Sequence, residues 1–580
     1  MSKLNIDTQT VLQLFGDNKS DFLIPDYQRP YAWGEAEWQT LWNDIFSFAF
    51  PDDNYQNFKG DEEYFLGPIV TFRNKQDKLE IIDGQQRLTT LMILLRVFYS
   101  RLVNMKDTNS VRTKEDVAKC IWKTDEFGAP LMTELKIDSE VSSDDDKGEF
   151  LSILRNGTVS SGMNSRYAKA YQYFEEQIED FLNKFPSYFP YLPTRIMKNC
   201  ILLPIEAESQ DTALRIFSTL NDRGKPLSDT DIFKAQFYKY YTELNRKEEF
   251  IQRWKDLDAL CNEIFPSDFQ TPMDELFTRY MYYKRAQEGN KQTTTEALRK
   301  FYERNEYALL KRQETLCDLE QLASFWQKVI TQDNSEFSDR ILKQFGVLQY
   351  APNSMWTYMV SVYFMQNRNS ENRLADEDAL WQFLEKTTAF MLAYSFLRPG
   401  VNALRTPAYA EMINIVNGKT VEFKDFKFDR PILKSAIANY EFTNNRPITK
   451  SMLAWWMYRN PDQKIVPTDT VLEIEHIYPR KRQENEHGLL DSRNLESLGN
   501  KALLERSINI RASDYRFADK KKYYTGFTAD KGKIKQATIN AELREMGEGT
   551  LDFTEENIVS RKKSMIDSFL KWIDGNGLLK

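Results

Sequence analysis

The chain has 580 residues, 41% of them hydrophobic and 13% aromatic, and its net charge is −8 at pH 7. That length exceeds a single hydrophobic core and predicts about two to four domains, while the apolar content excludes a disordered chain. The negative charge excludes a uniformly basic DNA-coating protein, so any contact with nucleic acid needs a local positive patch. No apolar run approaches the ~18 residues of a membrane span, and the N-terminal residues show no signal segment. We therefore expect a cytoplasmic protein without a membrane partner.

Four cysteines stand far apart in the chain, and none of them forms a CxxC pair. This spacing argues against a structural zinc site and predicts reduced cysteines inside packed cores. The chain also lacks a GxxxxGK[ST] segment, so a nucleotide site in it would not be a P-loop.

The first motif along the chain is IPDYQRPYAW, residues 24–33. Its two prolines stiffen an extended segment that would present Tyr27, Gln28 and Arg29 to one site. The pieces FLGPIVTF, LEII and CILLPI look like short strands, and helical patterns lie among them. Residues 1–235 therefore predict an α/β domain.

Five polar residues, DGQQR, interrupt two apolar runs within residues 79–95. The first run reads as a strand that turns at Gly84, and the second has helical spacing. The unpaired N–H groups of the first helical turn would form an anion site, where the planar guanidinium of Arg87 suits a phosphate. Asp83 would cap this helix or hold a metal ion. The alternative is a plain capped turn with Arg87 in a surface ion pair.

A third polar segment, IFSTLNDRGKPLSDTDIFKAQ, begins at residue 216 and places Asn221 and Arg223 in a loop between two helical stretches. Ser228 or Asp229 would cap the second stretch. Three segments that each combine arginine with an amide or a carboxylate favour one shared pocket for a nucleotide or phosphate. Taken singly, each is compatible with a structural turn that carries a solvated arginine.

The middle of the chain, residues 236–445, has a long, aromatic-rich and helical pattern with few strand signals. Segments such as FKAQFYKYYTELNRKEEFIQRW and LWQFLEKTTAFMLAYSFL predict a helical domain whose aromatic side chains form the core. Residues 446–580 differ again, because they carry dense loop motifs and clusters of basic residues.

The segment VLEIEHIYPRKRQ ends a strand-like alternation with Glu475 and His476. The chain holds only one other histidine, His487, whose polar surroundings are typical of a loop. By itself, His476 is equally compatible with a buried, hydrogen-bonded core histidine.

Downstream, LESLGNKALLERSINI carries Asn500 and Asn509, and Leu503 and Leu504 between them would pack a short helix. This order of strand, loop and strand-to-helix turn is that of a His-Me finger, or HNH-type, nuclease. In such a site a neutral imidazole takes a proton from water, and one divalent ion stabilises the phosphate charge and the leaving oxygen. Oxygen ligands suit Mg²⁺ or Mn²⁺.

A basic window lies beside this motif. Residues 501–535 hold ten basic and four acidic side chains, a net charge of +6 in a chain whose total is −8. Such a field would supply phosphate contacts, and Lys520, Lys521 and Lys522 are its predicted DNA-binding residues. The alternative for these three lysines is a solvated helix face.

The motifs IPDYQRPYAW, FLGPIV, IIDGQQRLTTL and FSTLNDRGKPLSDTDIFK resemble the N-terminal domain of GmrSD-type proteins. The resemblance implies a fold similar to ParB and sulfiredoxin and the hydrolysis of a nucleoside triphosphate without a P-loop. The nucleotide site that it implies, with the loop of the third segment added, comprises Tyr27, Gln28, Arg29, Asp83, Gly84, Gln85, Gln86, Arg87, Asn221 and Arg223.

The C-terminal motifs resemble the GmrD-like branch of the HNH nucleases, whose domain is a ββα-metal fold. The resemblance implies that His476 is the general base and that Glu475 and Asn509 are ligands of Mg²⁺ or Mn²⁺. It also implies that Asn500 holds the loop that carries the base. HNH enzymes more often have Asp at the first ligand position. A later Asn of this branch is replaced by Ser513 or Asp514.

Taken together, the sequence predicts a multidomain α+β protein with a GmrS-like nucleotide-binding domain over residues 1–235, a helical linking domain over 236–445 and a His-Me finger domain over 446–580. The predicted function is a nucleotide-regulated, metal-dependent endonuclease that cuts modified double-stranded phage DNA in defence, as a homodimer. Two alternatives stay open. One is an NTPase-driven DNA-binding regulator with an inactive nuclease domain, and the other is an RNA-cleaving abortive-infection effector.

Overall fold

The computed structural model describes residues 7–141, 144–160, 162–210, 212–213, 216, 228–265, 271–291, 296–398, 400, 403–513, 516–529 and 533–580. The chain forms two compact units, Met1–Lys255 and Asp256–Lys580, which are called here the N-terminal and the C-terminal unit. Within the described ranges, every helix is too short or too polar to span a bilayer.

The N-terminal unit contains both strands and helices. Its strands are β1 (Gln9–Thr10), β2 (Phe22–Ile24), β3 (Tyr64–Arg73), β4 (Leu79–Asp83), β5 (Trp122–Thr124), β6 (Pro130–Leu135), β7 (Ile137–Ser139) and β8 (Cys200–Ala207). Its helices are α1 (Val11–Gly16), α2 (Glu35–Ala49), α3 (Gln85–Leu102), α4 (Thr108–Ile121), α5 (Lys147–Asn156), α6 (Arg166–Lys184), α7 (Tyr191–Asn199) and α8 (Asp229–Glu243). Helix α9 (Lys247–Ile264) contains the division between the units.

Six of these strands form one mixed sheet in the order β1-β8-β3-β4-β2-β7. Strand β3 pairs in parallel with β8 and antiparallel with β4, and β2 pairs in parallel with β4 and β7. Strands β5 and β6 form a separate antiparallel pair. Because β4 lies inside the sheet, the turn that follows it is held on both sides by neighbouring strands.

Helix α3 is the central helix of the N-terminal unit. Of its 18 residues, 14 are buried, and the large apolar cluster of this unit includes its buried apolar residues from Leu88 to Leu102. The continuous run LTTLMILLRVF explains this position, since a helix that is apolar on almost every side must be covered on almost every side. The start of α3 is therefore fixed by a rigid core.

The C-terminal unit is mostly helical. Its helices are α10 (Pro272–Gln287), α11 (Leu298–Tyr307), α12 (Gln313–Ile330), α13 (Asp339–Leu348), α14 (Met355–Asn367), α15 (Glu377–Leu397), α16 (Arg405–Val416), α17 (Arg430–Ala438), α18 (Pro447–Tyr458), α19 (Arg480–Glu486), α20 (Arg506–Ala512), α21 (Phe517–Thr525), α22 (Ala541–Gly549) and α23 (Glu555–Gly575). Its strands are β9 (Leu472–His476), β10 (Lys501–Glu505), β11 (Phe527–Thr528) and β12 (Ile534–Lys535).

Strands β9 and β10 form an antiparallel pair, and helix α20 begins directly after β10. Leu503 and Leu504 are fully buried in β10. Leu504 lies in the same apolar cluster as Ile508 of α20, so the predicted packing of the short helix is confirmed for this leucine. The apolar run KALLE pairs with the equally apolar alternation of β9, and five paired residues stabilise it as a strand. The helix that follows carries Asn509.

The predicted mixed α/β character is confirmed by these elements. From Asp229 to Tyr458, every regular element that the structure describes is helical, as the aromatic-rich pattern predicted. The predicted similarities to ParB and sulfiredoxin and to the His-Me finger, and the three predicted domain ranges, stay predictions.

Candidate active site and candidate nucleotide site

The end of strand β9 brings Glu475 and His476 to one pocket. The strand register places His476 opposite Lys501 and Glu475 opposite Ala502 on β10. Because successive side chains of a strand point to opposite faces, the two residues meet different neighbours. A pocket of about 200 Å³ at the end of the strand is lined by both residues and also by Asn509, Arg480 and Lys520.

The imidazole of His476 is largely buried and lies beside a carboxylate that the sequence did not single out. Its Nε2 is 3.3 Å from Oε1 of Glu496, which also accepts a hydrogen bond from Arg480 at 2.6 Å. Burial lowers the pKa of His476 to about 4. The positive charges of Lys501 and Arg480 also lower this pKa, whereas the negative charge of Glu496 raises it. The ring is therefore neutral at pH 7, which is the form that a general base needs.

Glu475 is buried, and its Oε1 accepts two hydrogen bonds. The donors are Nζ of Lys520 at 2.8 Å and the hydroxyl of Tyr524 at 2.6 Å. Lys520 also donates to the carbonyl oxygen of His476 at 2.7 Å. One lysine thus positions the carboxylate and the backbone of the neighbouring histidine together.

Asn500 is fully buried and holds the loop after His476. Its Oδ1 accepts from the backbone N–H of Tyr478 at 2.7 Å, and its Nδ2 donates to the carbonyl oxygens of Tyr478 at 3.1 Å and Leu495 at 2.9 Å. Its own carbonyl oxygen accepts from the N–H of Ile477 at 2.9 Å. This geometry is compatible with the loop-holding role that the resemblance implies for Asn500, which stays a prediction.

Asn509 lies on α20 at the edge of the same pocket. Its Nδ2 donates to Oε2 of Glu473 at 3.2 Å, a residue on β9 that the sequence did not single out. Ser513 also adjoins the pocket, with a backbone φ of 45°, whereas Asp514 lies outside the described residues.

The donor set of this pocket is compatible with a divalent ion that bound substrate helps to hold. No group of three His, Cys, Asp or Glu side chains that would hold a metal ion is found in the described ranges. Glu475 and Asn509 offer a carboxylate and an amide oxygen, which are hard donors of the kind that Mg²⁺ and Mn²⁺ prefer. Mg²⁺ commonly takes one or two protein carboxylates and completes its shell with water and phosphate oxygens.

Lys520 differs from the other two predicted DNA-binding lysines. Its side chain is 1% exposed and pairs with Glu475, so its predicted place on a DNA-binding surface is wrong. Lys521 is partly exposed, and Lys522 is exposed with its ammonium 5.2 Å from the ring of Tyr523. The helical spacing of Phe517, Lys520 and Tyr524 was the available signal, because it puts Lys520 on the buried stripe of α21.

Glu496 and Lys501 were missed at the sequence level. Lys501 is fully buried, and its Nζ pairs with Oε2 of Glu496 at 2.5 Å and donates to Oδ1 of Asn444 at 2.8 Å. The pairing register of the two strands was the only available signal for Lys501, since it places this residue opposite His476. Nothing in the local pattern of LESLGN marks Glu496.

In the N-terminal unit, the segment DGQQR forms the predicted turn between β4 and α3. Strand β4 ends at Asp83, Gly84 precedes the helix with a φ of 91°, and α3 begins at Gln85. A Cβ at Gly84 would lie 3.2 Å from the carbonyl oxygen of Pro68, and the left-handed φ also favours glycine. Burial raises the pKa of Asp83, although Arg87 and Arg29 oppose that shift.

The two glutamines of this segment bind the backbone of IPDYQRPYAW. Nε2 of Gln85 donates to the carbonyl oxygen of Arg29 at 2.9 Å. Oε1 of Gln86 accepts from the N–H groups of Ala32 at 2.6 Å and Trp33 at 3.2 Å. The turn and the proline-stiffened segment are thus one connected structure, as their predicted convergence requires.

Arg87 is inserted between backbone segments. Its Nη1 donates to the carbonyl oxygen of Pro68 at 2.8 Å, and a Cβ at Gly67 would lie 2.8 Å from its guanidinium carbon. Burial lowers the pKa of Arg87, while the charge of Asp83 opposes that shift. Among the residues that the structure describes, no ion pair of Arg87 within 4.0 Å is found, so the alternative of a surface ion pair is wrong.

Tyr27 and Gln28 are both buried beneath this turn. The Tyr27 hydroxyl is 3.5 Å from Oε2 of Glu80, and burial raises the pKa of Tyr27 well above its usual value. Nε2 of Gln28 donates to the carbonyl oxygens of Ile81 at 3.2 Å and Ile82 at 3.1 Å. Asn221 and Arg223, the last two predicted nucleotide contacts, lie outside the described residues.

Two family models match the chain. Residues 11–238 match the N-terminal domain of the GmrSD restriction endonuclease, and residues 423–568 match the C-terminal domain of the GmrSD restriction endonucleases. No curated protein matches the chain. The first match covers the segments around Arg87, and the second covers the pocket at His476.

Proposed function

The chain belongs to the family of GmrSD restriction endonucleases, and on this premise we propose that its endonuclease centre is the pocket at the end of β9. Membership of this family implies endonuclease activity, DNA as the substrate and a role in restriction. The proposal adds a His-Me finger of strands β9 and β10 and helix α20, with a divalent ion as cofactor and modified foreign DNA as target.

The proposed reaction is hydrolysis of a phosphodiester bond. The neutral imidazole of His476 accepts a proton from water, the water oxygen forms a bond to phosphorus, and the bond from phosphorus to the leaving sugar oxygen breaks. Glu475 and Asn509 would hold Mg²⁺ or Mn²⁺, which when bound supplies positive charge for the phosphate and the leaving oxygen. Asn500 keeps the loop after His476 in place through its bonds to Tyr478.

One observation carries this proposal: Glu475 and His476 at the end of β9 and Asn509 on α20 line the same pocket. A core histidine would not require a carboxylate next to it and an amide from a second element at the same pocket. The lowered pKa of His476 adds support, because a base must be unprotonated at the working pH.

The test is cleavage of supercoiled plasmid DNA by purified His476→Ala in the presence of Mg²⁺ or Mn²⁺. Loss of a general base typically lowers the rate ~10²–10⁴-fold, and we expect a loss of that size. The matched control is His487→Asn at the only other histidine, which is exposed and has a φ of 47° that asparagine tolerates. Cleavage by His476→Ala at the wild-type rate would exclude this pocket as the endonuclease centre.

Parallel incubation of the wild type with transfer RNA tests the RNA-cleaving alternative. A wild-type chain that cuts neither substrate would favour the inactive-nuclease alternative.

The second part of the proposal is that the N-terminal unit binds and hydrolyses a nucleoside triphosphate and so regulates cutting. The turn at Gly84 presents the start of α3 beside Arg87 and Asp83, an arrangement of backbone N–H groups and a guanidinium that suits phosphate oxygens. We propose a ParB- and sulfiredoxin-like fold for this unit and a homodimer as the cutting form, because both strands of DNA must be cleaved.

A further inference from the structure

The C-terminal unit contains a cavity of about 690 Å³ that belongs to neither site described above. Helices α10, α12, α13 and α14 and the end of α9 line it, together with Thr468. Apart from Thr468, its lining residues lie between residues 238 and 423, outside both matched segments. A volume of ~300–1,000 Å³ is typical of small-molecule sites.

The floor of this cavity is aromatic. Trp326 and Phe345 are buried there, and Trp356 packs edge-on against Trp326 with their ring centroids 5.6 Å apart. Trp326 is fixed by a hydrogen bond from its Nε1 to the hydroxyl of Ser361 at 3.0 Å. Trp356 is only partly buried, so it is the ring of this floor on which a planar ligand would stack.

A buried arginine lies beside the aromatic floor. The guanidinium of Arg279 is 4.3 Å from the ring centroid of Phe265 and 4.1 Å from that of Trp326. Its Nε donates to Glu275 at 2.9 Å, whereas its Nη1 has no hydrogen-bond partner among the described residues.

The charges of the cavity exclude a phosphate as its main ligand. Arg279 and Glu275 are the only charged side chains among the described lining residues, and they neutralise each other. The rim is polar and exposed, with Gln349, Ser354 and Thr468. The cavity therefore suits a neutral planar group with hydrogen-bonding edges.

We propose that this cavity binds a nucleobase, stacked on Trp356 and hydrogen-bonded to polar side chains at its edge. The inference rests on the proposed function in one respect, because DNA as substrate supplies the base. Enzymes that inspect single bases extrude them from the duplex into pockets lined by aromatic and apolar side chains. The volume leaves room for a base that carries an additional substituent.

The first experiment measures binding of the full chain, without divalent ion, to short duplexes that carry one 5-hydroxymethylcytosine, either paired with guanine or mismatched with adenine. Mismatched bases cost less to extrude, so the wild type should bind the mismatched duplex more tightly. Trp356→Ala removes a wall of the cavity and should reduce affinity for that duplex about fivefold or more. Gln349→Trp fills the mouth from an exposed position and should have the same effect without opening the core.

The matched control is Trp381→Ala, which removes a tryptophan of the same unit that packs on Arg340 outside the cavity. Calorimetric titration with free 2′-deoxycytidine and 5-hydroxymethyl-2′-deoxycytidine distinguishes a free nucleoside from an extruded base as the source. Heat of binding that both cavity variants abolish would support the free source, and an effect confined to DNA would support extrusion.

Unchanged affinities of Trp356→Ala and Gln349→Trp for every probe, or equal losses in Trp381→Ala, would overturn the proposal. Because these measurements record binding and not cleavage, they stay separate from the nuclease test. A chain that binds the probes through the cavity but never cuts DNA would refute the nuclease centre alone.

Discussion

Asn500 and Asn509 belong to the same predicted motif, yet they differ in burial and in the number of bonds that their side chains make. Asn500 is fully buried with three side-chain hydrogen bonds, and Asn509 is partly exposed with one, to Glu473. The sequence predicted both residues as site members. It did not predict the difference in burial, because this depends on the loop from Tyr478 to Leu495 folding over Asn500.

We therefore expect Asn500→Ala and Asn509→Ala to abolish cutting for different reasons. Asn500→Ala leaves several buried backbone groups unpaired and should lower the free energy of unfolding by about 3 kcal/mol. Asn509→Ala should cost less than about 1 kcal/mol and keep the fold. Urea denaturation of both variants measures this difference. Equal stabilities would mean that Asn500 does not hold the loop, and a stable, active Asn509→Ala would remove that residue from the site.

The position of the Arg87 guanidinium depends on the absence of a side chain at Gly67. The φ of Gly67 is 124°, and an added Cβ would stand 2.8 Å from the Arg87 guanidinium. Gly67→Ala should therefore cost roughly 1–3 kcal/mol of stability and displace Arg87, so that nucleotide hydrolysis is lost. The matched control is Gly60→Ala, where nothing lies within 4 Å of the new methyl group. Measured turnover of nucleoside triphosphates that stays normal in Gly67→Ala and in Arg87→Ala would exclude Arg87 from the nucleotide site.

At the scale of elements, strands and helices were predicted best where one pattern dominates. The run LEIID forms β4 and the run after Gly84 forms α3. The β-branched residues of the first run and the helical spacing of the second each favour one type of element. The run KALLE forms the strand of the predicted strand-to-helix turn, but its pairing register with β9 could not be predicted, because register depends on the partner strand. Helix α21 shows the same limit for charges, since composition alone does not reveal that Lys520 lies on the buried stripe.

Helix α21 therefore carries a prediction that separates its three lysines. Lys522→Gln should lower the slope of log K for DNA against log salt by about one unit if its ammonium meets a phosphate, and Lys521→Gln should lower it by up to the same amount. Lys520→Gln should leave the slope unchanged but reduce cutting, because Glu475 loses its partner at 2.8 Å. Binding titrations at several salt concentrations, with cleavage assays alongside, measure both effects. A slope change in Lys520→Gln as large as that in Lys522→Gln would contradict the buried position.

At the scale of the whole molecule, the sequence predicted which segments carry chemistry but not which residues support them. Glu496 is twenty positions from His476, and the wall residues of the large cavity run from Ile264 to Thr468. Such groups of residues meet only when distant helices and loops pack together, so the local periodicity of the sequence does not predict them. The two ends of the chain could be predicted because their motifs are compact, with the turn at Gly84 and the finger at His476 each contained in a few dozen residues.

The two proposed sites lie in different compact units, so regulation of cutting by nucleotide requires a coupling free energy between them. Linkage makes such a coupling reciprocal: the factor by which nucleotide changes DNA affinity must equal the factor by which DNA changes nucleotide affinity. We expect a factor of about 5–150, the usual range for coupled sites. The His476→Ala chain suits the measurement because it should bind DNA without cutting it, and a non-hydrolysable nucleotide analogue keeps the first site occupied. Affinities measured in both orders should agree on one factor. A factor of one in both orders would mean that the nucleotide site, even if it hydrolyses nucleotides, does not regulate DNA binding.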